Sequence, residues 1–274
     1  MNRILKIFIS CSVICFLMFS QFNAEENREK LKITASTASI GSILQVIGNE
    51  KIEVTVAVKG AMCPGHFDVD PGTIKKIASS NLMLHHDWEK WLDRLDNAVG
   101  KDRIKKVSIH VAGNWMVPEI NKKAAGAIVN ILCEIDGQNG DYYKSNLEKY
   151  SREVEKLSKE IKDKTSKFKG YNVVCSSMQK DFIEWLGLDV IAEYGRTEDI
   201  TANDIVGIIK TAREKKAVLV IDNLQSGADT GKQFAKDLGV NRATISNFPL
   251  DNKYKETLEE NVNIITRVLN EKHD

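Results

Sequence analysis

The stretch Asp141–Phe168, DYYKSNLEKYSREVEKLSKEIKDKTSKF, decides the architecture that we expect for this chain of 274 residues. Its apolar residues recur every three or four positions, as along one stripe of a helix: Leu147, Tyr150, Val154, Leu157, Ile161 and Phe168. No Gly or Pro interrupts the stretch before Gly170. Such a helix of 28 residues would be about 40 Å long. An average helix has only about 11–12 residues. The pattern favours a spine between two lobes over an ordinary surface helix of one domain.

Strand-like and helix-like segments alternate on both sides of this stretch. IEVTVAVK at 52–59 alternates and is β-branched, and AVLVID at 217–222 is almost continuously apolar, as in strands with both sheet faces covered. The alternation predicts an α/β fold: two lobes with mostly parallel sheets joined by one long rigid helix. We expect an N-terminal lobe at 31–140, the spine helix at 141–169 and a C-terminal lobe at 170–274.

Ligands of parallel α/β sheets bind outside the carboxyl ends of the strands, so the loops that follow strands are the places to search. Six such loops stand out: Gly60–Asp70, His85–Glu89, Ala112–Val117, Ser176–Lys180, Asn223–Asp229 and Asn247–Lys253.

The N-terminus has the layout of a secretory signal peptide. Arg3 and Lys6 precede an apolar run at 7–19, and a polar stretch follows. We expect the signal peptide at residues 1–24, and the run is short for a membrane span, although a retained anchor is the alternative. The protein is therefore expected outside the cytoplasm, in the periplasm or at the outer face of the cell membrane. Export would leave three cysteines, Cys63, Cys133 and Cys175, an odd number that argues against a disulfide framework.

Charge and motifs exclude two classes of function. The 39 basic and 38 acidic residues nearly cancel, and no basic block stands apart, so nucleic acid is not an expected partner. The sequence contains neither G-x-S-x-G nor H-E-x-x-H, and Gly227–Gln233 departs from the phosphate-binding loop pattern. Nothing resembles a catalytic constellation, and we expect the protein not to be an enzyme.

The loop Met62–Asp68, MCPGHFD, combines a thiol, an imidazole and a carboxylate within a few positions. These are ligand types of transition-metal sites. The spacing of Cys63 and His66 is also common by chance, and Pro64-Gly65 would make a turn that buries the thiol. The residues alone favour neither interpretation.

The adjacent histidines His85 and His86 are further candidates. His85 and His86 end a strand, where neighbours point to opposite sides, so at most one of them faces a cleft; a surface histidine beside a packed one is the alternative. His110, within KVSIHV at 106–111, is expected to be a core or edge residue of its strand.

The second half of the chain offers soft and acidic groups after its strands. Cys175 and Met178 are soft ligands for Cu(I) or zinc-type metals, although both residue types usually lie in cores. Asp222 ends the strand AVLVID, where α/β proteins often place a functional carboxylate, and a cap or turn is its alternative role.

The order of these segments resembles a known family. A signal peptide precedes PGHFDVDPGTIKKIASSNLML, EKWLDRL, NWMVPEINKKAAGAIVNIL, the spine, a second lobe and FPLDNKYKETLEENVNIITRVL. Between Leu31 and Leu269 the chain looks like the metal-binding solute receptors of ABC importers, the zinc and manganese periplasmic binding proteins. The resemblance implies two α/β lobes, a metal ion between them and a monomer that delivers its cargo to an ABC transporter permease in the membrane.

The resemblance carries the family's four ligand positions onto this chain only in part. His66 matches the first ligand, a histidine, but Gly113 stands where the second histidine is expected. Met178 is the best match to the third ligand. Asp251 is the nearest match to the acidic fourth ligand, with Asp222 next.

Two functions follow from the resemblance. In the first, the protein is a divergent receptor with a rebuilt site that takes zinc, or else manganese, nickel or copper. Its candidate ligands are His66, Cys63, His86, Met178, Asp222 and Asp251, with His85 as an alternative to His86. In the second, the metal site is lost, and a cleft lined by Trp88, Trp115 and Gln225 takes an organic ligand or a metal chelate. In both, the stiff spine is expected to limit hinge motion to small changes.

Overall fold

The structure is a computed structural model, and it describes residues 29–67, 70–100, 103–227 and 231–271, without the side chains of residues 66, 98 and 99. The predicted signal peptide at 1–24 lies outside the described residues. Among the helices that are described, none is both long and apolar enough to cross a membrane.

The N-terminal lobe is a four-stranded sheet flanked by helices. Its strands are β1 (Leu31–Thr37), β2 (Ile52–Val58), β3 (Leu82–His86) and β4 (Lys105–Ile109), in the spatial order β2-β1-β3-β4. The pairs β1–β3 and β3–β4 are parallel. Its helices are α1 (Ala38–Gly48), α2 (Pro71–Ala78), α3 (Leu92–Val99) and α4 (Pro118–Ile135). The central strands are buried, since helices cover both faces of a parallel sheet.

The C-terminal lobe repeats this plan. Its strands are β5 (Asn172–Ser176), β6 (Asp189–Tyr194), β7 (Leu219–Asn223) and β8 (Asn241–Ile245), in the order β6-β5-β7-β8, and all three pairs are parallel. All five residues of β7 are buried. The remaining helices are α6 (Lys180–Trp185), α7 (Ala202–Glu214), α8 (Lys232–Leu238) and α9 (Tyr254–Asn270).

One long helix, α5 (Gly140–Thr165), joins the two sheets. It has 26 residues and continues as a 3-10 turn over Ser166–Phe168. Its stripe of Tyr150, Val154, Leu157 and Ile161 is buried, whereas the opposite face is rich in exposed charged residues. The helix packs against α4, α1 and α9, that is, against helices from both halves of the chain. The predicted fold, two α/β lobes with parallel sheets and one long joining helix, is confirmed.

Some local expectations differ from the structure. Strand β4 ends at Ile109, so His110 lies beyond the strand and its side chain is 75% exposed; the prediction of a core or edge histidine was wrong because the strand is shorter than its apolar pattern. The described residues from 32 to 271 form one compact unit, and the lobe boundaries at 140 and 170 stay predictions.

Candidate functional site

A cavity of about 660 Å³ lies between the two lobes, at the carboxyl ends of their strands. Each of the six loops expected to carry a site contributes to its wall, and a seventh loop, after β6, adds Arg196. The N-terminal lobe supplies Cys63, Pro64, Gly65, Trp88, Glu89, Lys90, Trp91, Arg94, Gly113 and Asn114. The C-terminal lobe supplies Ser177, Met178, Asp181, Arg196, Asn223, Gln225, Ser226, Asn247 and Phe248. The cavity is therefore enclosed by both lobes rather than by one.

Hydrogen bonds cross between the lobes at the cavity wall. The backbone N–H of Asn114 donates to Oδ2 of Asp181 at 3.2 Å, and Nδ2 of the same asparagine donates to the carbonyl of Met178 at 3.1 Å. On another side, Nε2 of Gln225 donates to the carbonyl of Gly60. These contacts hold the strand-end loops of the two lobes against each other.

Arg196 reaches from the C-terminal lobe to the loop that carries Cys63. Its Nη2 donates to Sγ of Cys63 at 3.6 Å. The guanidinium lies so close to Gly65 that a Cβ at that residue would be 2.8 Å from Nη2 and 3.1 Å from Nη1. Glycine at residue 65 is therefore what leaves room for the guanidinium in the cleft.

His86 is buried beneath the cavity rather than exposed in it. Its ring stacks on Trp88, with centroids 5.0 Å apart, and meets Trp115 edge-on at 4.5 Å. Its Nε2 shares a 3.0 Å hydrogen bond with Oγ1 of Thr37. Burial away from water lowers the pKa of His86 to about 4, so the ring is neutral at pH 7. His86 thus serves as a neutral platform under the 52% exposed indole of Trp88.

Glu89 is a buried carboxylate at the cavity wall, and protein donors occupy both of its oxygens. Oε2 accepts from the backbone N–H of His86 at 2.9 Å, and Oε1 accepts from the indole N–H of Trp91 at 3.3 Å. Burial is the largest influence on the pKa of Glu89 and raises it. The carboxylate orients the segment between β3 and α3.

The long helix supports the floor of the cavity. Tyr150 donates from its hydroxyl to Oδ1 of Asn121 at 2.6 Å, and Nδ2 of Asn121 donates to the carbonyl of Trp115 at 3.2 Å. From α9, the hydroxyl of Tyr254 donates to the carbonyl of Met116 at 3.1 Å. Both helices thus fix the loop that holds Trp115 against His86.

The predicted ligand residues are spread over several places. Cys63 and Met178 line the cavity, and the side chain of Met178 is 45% exposed. His85 is half-buried, and its Nδ1 lies 2.8 Å from the carbonyl of His86. The backbone of His66 belongs to the 3-10 turn Pro64–His66, but its side chain lies outside what the structure describes.

The two acidic candidates lie away from the cavity wall. Asp222 is fully buried; it accepts from Tyr194 and from the N–H of Gly231, and it pairs with Nη1 of Arg242 at 3.1 Å. Burial is the largest influence on the pKa of Asp222 and raises it. Asp251 is exposed, in the turn before α9 with φ of 50°.

Within the described parts of the chain, no group of three or more His, Cys, Asp or Glu side chains is placed to hold a metal ion. Gly113, at the family's second ligand position, has φ of 97°, and a Cβ there would lie 2.6 Å from Cδ1 of Ile120. A histidine would be strained at this position.

Sequence reasoning missed Arg196 and Asn247 as site residues. Arg196 follows β6, whose loop obeys the same strand-end rule as the six that were chosen. Asn247 lines the cavity, and its Oδ1 is buried without a hydrogen-bond partner among the described residues. No pattern in the sequence distinguishes that asparagine from others in turns.

Two sequence comparisons match this chain. The family model described as "ZnuA: Zinc-uptake complex component A periplasmic" matches residues 33–268. An uncharacterized protein, RP014, of Rickettsia prowazekii (strain Madrid E) is 23% identical over 121 residues, which are 42% of this chain and 40% of that relative's length.

Solved structures resemble the chain over most of its length. A crystal structure of a zinc-bound ZnuA deletion mutant has 19% identity and a TM-score of 0.76, covering 89% of this chain and 100% of that one. A mutant of a manganese-bound periplasmic metal-binding protein from Candidatus Liberibacter asiaticus has 18% identity and a TM-score of 0.75, covering 88% and 100%. At such identities the likeness establishes the fold.

Proposed function

This chain belongs to the family of ZnuA, the periplasmic component of zinc uptake, and from that membership we propose that it is the extracytoplasmic substrate-binding protein of an ABC importer. In this role the protein captures a solute between its lobes and passes it to a membrane permease. It binds and releases its cargo and catalyses no reaction. We propose that it acts as a monomer outside the cytoplasm.

The observation that carries the proposal is the convergence of loops from both lobes on one cavity. Its volume of about 660 Å³ falls within the roughly 300–1,000 Å³ of small-molecule sites. The strand ends, where α/β proteins bind ligands, surround the cavity from two sides. A solute in it would contact both lobes at once, so the permease would meet a loaded surface that differs from the empty one.

The proposed cargo is a transition metal: zinc in the first place, with manganese, nickel or copper as alternatives. Cys63 and Met178 offer sulfur at the cavity wall, and the turn that ends at His66 belongs to the same loop. Soft sulfur and imidazole donors suit zinc and copper better than manganese. In this candidate the ion binds directly to side chains.

A second candidate cargo is an organic ligand or a metal chelate. It is favoured by the size of the cavity, about 660 Å³, which would hold about 20 water molecules. A chelate needs fewer donors from the protein because its organic part already occupies much of the metal's coordination sphere.

Elemental analysis of untagged protein tests the proposal. The full chain is expressed, and the exported protein is purified under reducing conditions beside a Cys63→Ala/His66→Ala double variant. Stoichiometric metal that the double variant loses indicates a directly bound ion. Metal that both proteins retain indicates a chelate.

Loss of metal uptake in cells that lack the gene, restored by the wild-type chain, tests the importer role. Unchanged uptake of all four metals, together with metal-free protein that shows no thermal shift with any of them, would contradict a metal-carrying function.

A further inference from the structure

We propose that the cleft recognises an organic carboxylate with a planar apolar body, which binds either free or as the chelating ligand of a metal ion. Arg196 would hold the carboxylate, and the exposed faces of Trp88 and Met178 would hold the body. The inference rests on the proposed function, because it names the class of solute for the same cavity.

Arg196 is the first support for a carboxylate. It enters the cavity half-buried, and its one described partner is the thiol of Cys63, a weak acceptor. Among the described residues, no carboxylate lies within ion-pair distance of its guanidinium. A planar guanidinium matches a carboxylate with two parallel hydrogen bonds, and a metal cation would be repelled by it.

The charges of the wall agree with an anionic solute. Among the described residues of the wall, Lys90, Arg94 and Arg196 are basic, and Glu89 and Asp181 are acidic. Both acidic groups are already engaged: Glu89 by two protein donors, and Asp181 by the N–H of Asn114. The described wall therefore has more basic than acidic side chains, and this balance favours an anionic solute.

The apolar part of the wall suits a planar body. The side chain of Trp88 is 52% exposed, although its indole stacks on the buried ring of His86. Met178 is 45% exposed on the opposite lobe, and Phe248 also lines the cavity. Exposed large apolar side chains gathered in one cleft mark a binding surface, and an indole face favours an aromatic partner.

Four pyridine compounds test the inference: nicotinate, picolinate and the amide of each. All are planar, but the amides lack the negative charge, and only picolinate places its ring nitrogen beside the carboxylate for chelation. Binding to the full exported protein is measured by calorimetry and ligand-observed NMR, with and without zinc, and zinc alone is titrated in parallel.

The carboxylates are expected to bind at least about tenfold more tightly than their amides, the effect of one charged hydrogen-bond pair. Equal binding of nicotinate and picolinate without zinc would identify a free organic anion as the solute class. If picolinate binds only when zinc is present, and nicotinate does not bind under either condition, the solute class is a chelate.

Two variants connect this preference to Arg196. Arg196→Gln should abolish the preference for carboxylates, whereas Arg213→Gln, on α7 away from the cavity, should leave it unchanged. Gly65→Ala keeps every charge, but its Cβ would lie 2.8 Å from Nη2, so the flexible end of Arg196 has to shift. It should weaken carboxylate binding less than Arg196→Gln does, with an unchanged melting temperature, which separates binding from folding.

The outcomes separate this inference from the proposed function. If zinc alone binds with stoichiometry one and Arg196→Gln does not weaken it, the inference is overturned and the metal receptor stands. If neither zinc nor any pyridine compound binds, both the inference and a solute site in this cleft are overturned.

Discussion

Tyr150, on the long helix, donates a 2.6 Å hydrogen bond to Oδ1 of Asn121, and Asn121 in turn holds the carbonyl of Trp115 beside the cleft. Both Tyr150 and Asn121 are buried. The helix is therefore more than a spacer between lobes, since its side chains position a loop of the binding cavity. We expect a rigid element in this position to limit how far the lobes can open.

Tyr150→Phe should lower the free energy of unfolding by about 1–3 kcal/mol, because the variant leaves a buried Asn121 oxygen without a donor. Urea denaturation of both proteins at pH 7 measures the change. Tyr142→Phe is the matched control on the same helix: its hydroxyl accepts from an exposed Asn49 at 3.3 Å, and it should have a much smaller effect. Equal effects of the two substitutions would show that the hydrogen bond between Tyr150 and Asn121 contributes no more to stability than the exposed one.

His86 should make the stability depend on pH below neutrality. Its pKa is about 4 in the folded protein and about 6.5 when unfolded, so in this window the unfolded chain binds a proton that the folded chain does not. Stability therefore rises with pH between about 4 and 6.5 and falls on acidification, by up to about 3 kcal/mol.

Urea denaturation from pH 7.5 to 4.5 tests this pH dependence. His86→Gln should flatten the dependence, because the variant lacks the group that gains the proton on unfolding. A steep wild-type profile that His86→Gln leaves unchanged would assign the dependence to other groups.

Cys175 should resist alkylation in the folded protein. The side chain is fully buried, and burial raises the pKa of its thiol to about 12, so almost no thiolate forms at pH 8. Cys63 and Cys133 are partly exposed and should react first with iodoacetamide, as read by peptide mass spectrometry. Alkylation of Cys175 at the rate of Cys63 without denaturant would contradict this burial.

Gly113→His, which supplies the residue expected at the family's second ligand position, should not create a zinc site. The backbone φ of 97° and the nearby Ile120 should make the substitution cost about 1–3 kcal/mol of stability. Thermal melts and zinc titration measure both effects. Gly126→Ala, in α4 where a Cβ meets nothing within 4 Å, should instead stabilise by up to about 1 kcal/mol. Tight zinc binding by a stable Gly113→His variant would contradict this prediction.

Periodicity was sufficient to predict the fold, because burial leaves a regular trace in the sequence. The stripe at 141–168 corresponds to α5 (Gly140–Thr165) and its 3-10 extension to Phe168. The near-continuous apolar run before Asp222 corresponds to the fully buried β7. Strand ends were harder to place: β4 stops before His110 because pairing with β3 ends at Ile109.

The site was predictable as a set of loops but less so as a set of residues. The strand-end rule selects loops, and it does not distinguish a side chain that enters the cleft from one that is used within its lobe. Asp222 stands at a strand end but packs with Tyr194 and Arg242. Arg196 follows a strand as many surface arginines do, and only the fold brings it against Gly65 of the other lobe.

A crystal structure of the exported protein grown with zinc and picolinate is the most direct test of the cleft. We expect density for one planar molecule in the cavity between the lobes, with its carboxylate against Arg196 and its ring against Trp88. A bare ion held by Cys63 and His66 would contradict the carboxylate inference and support the directly bound metal instead, and a molecule bound outside the cleft would contradict both.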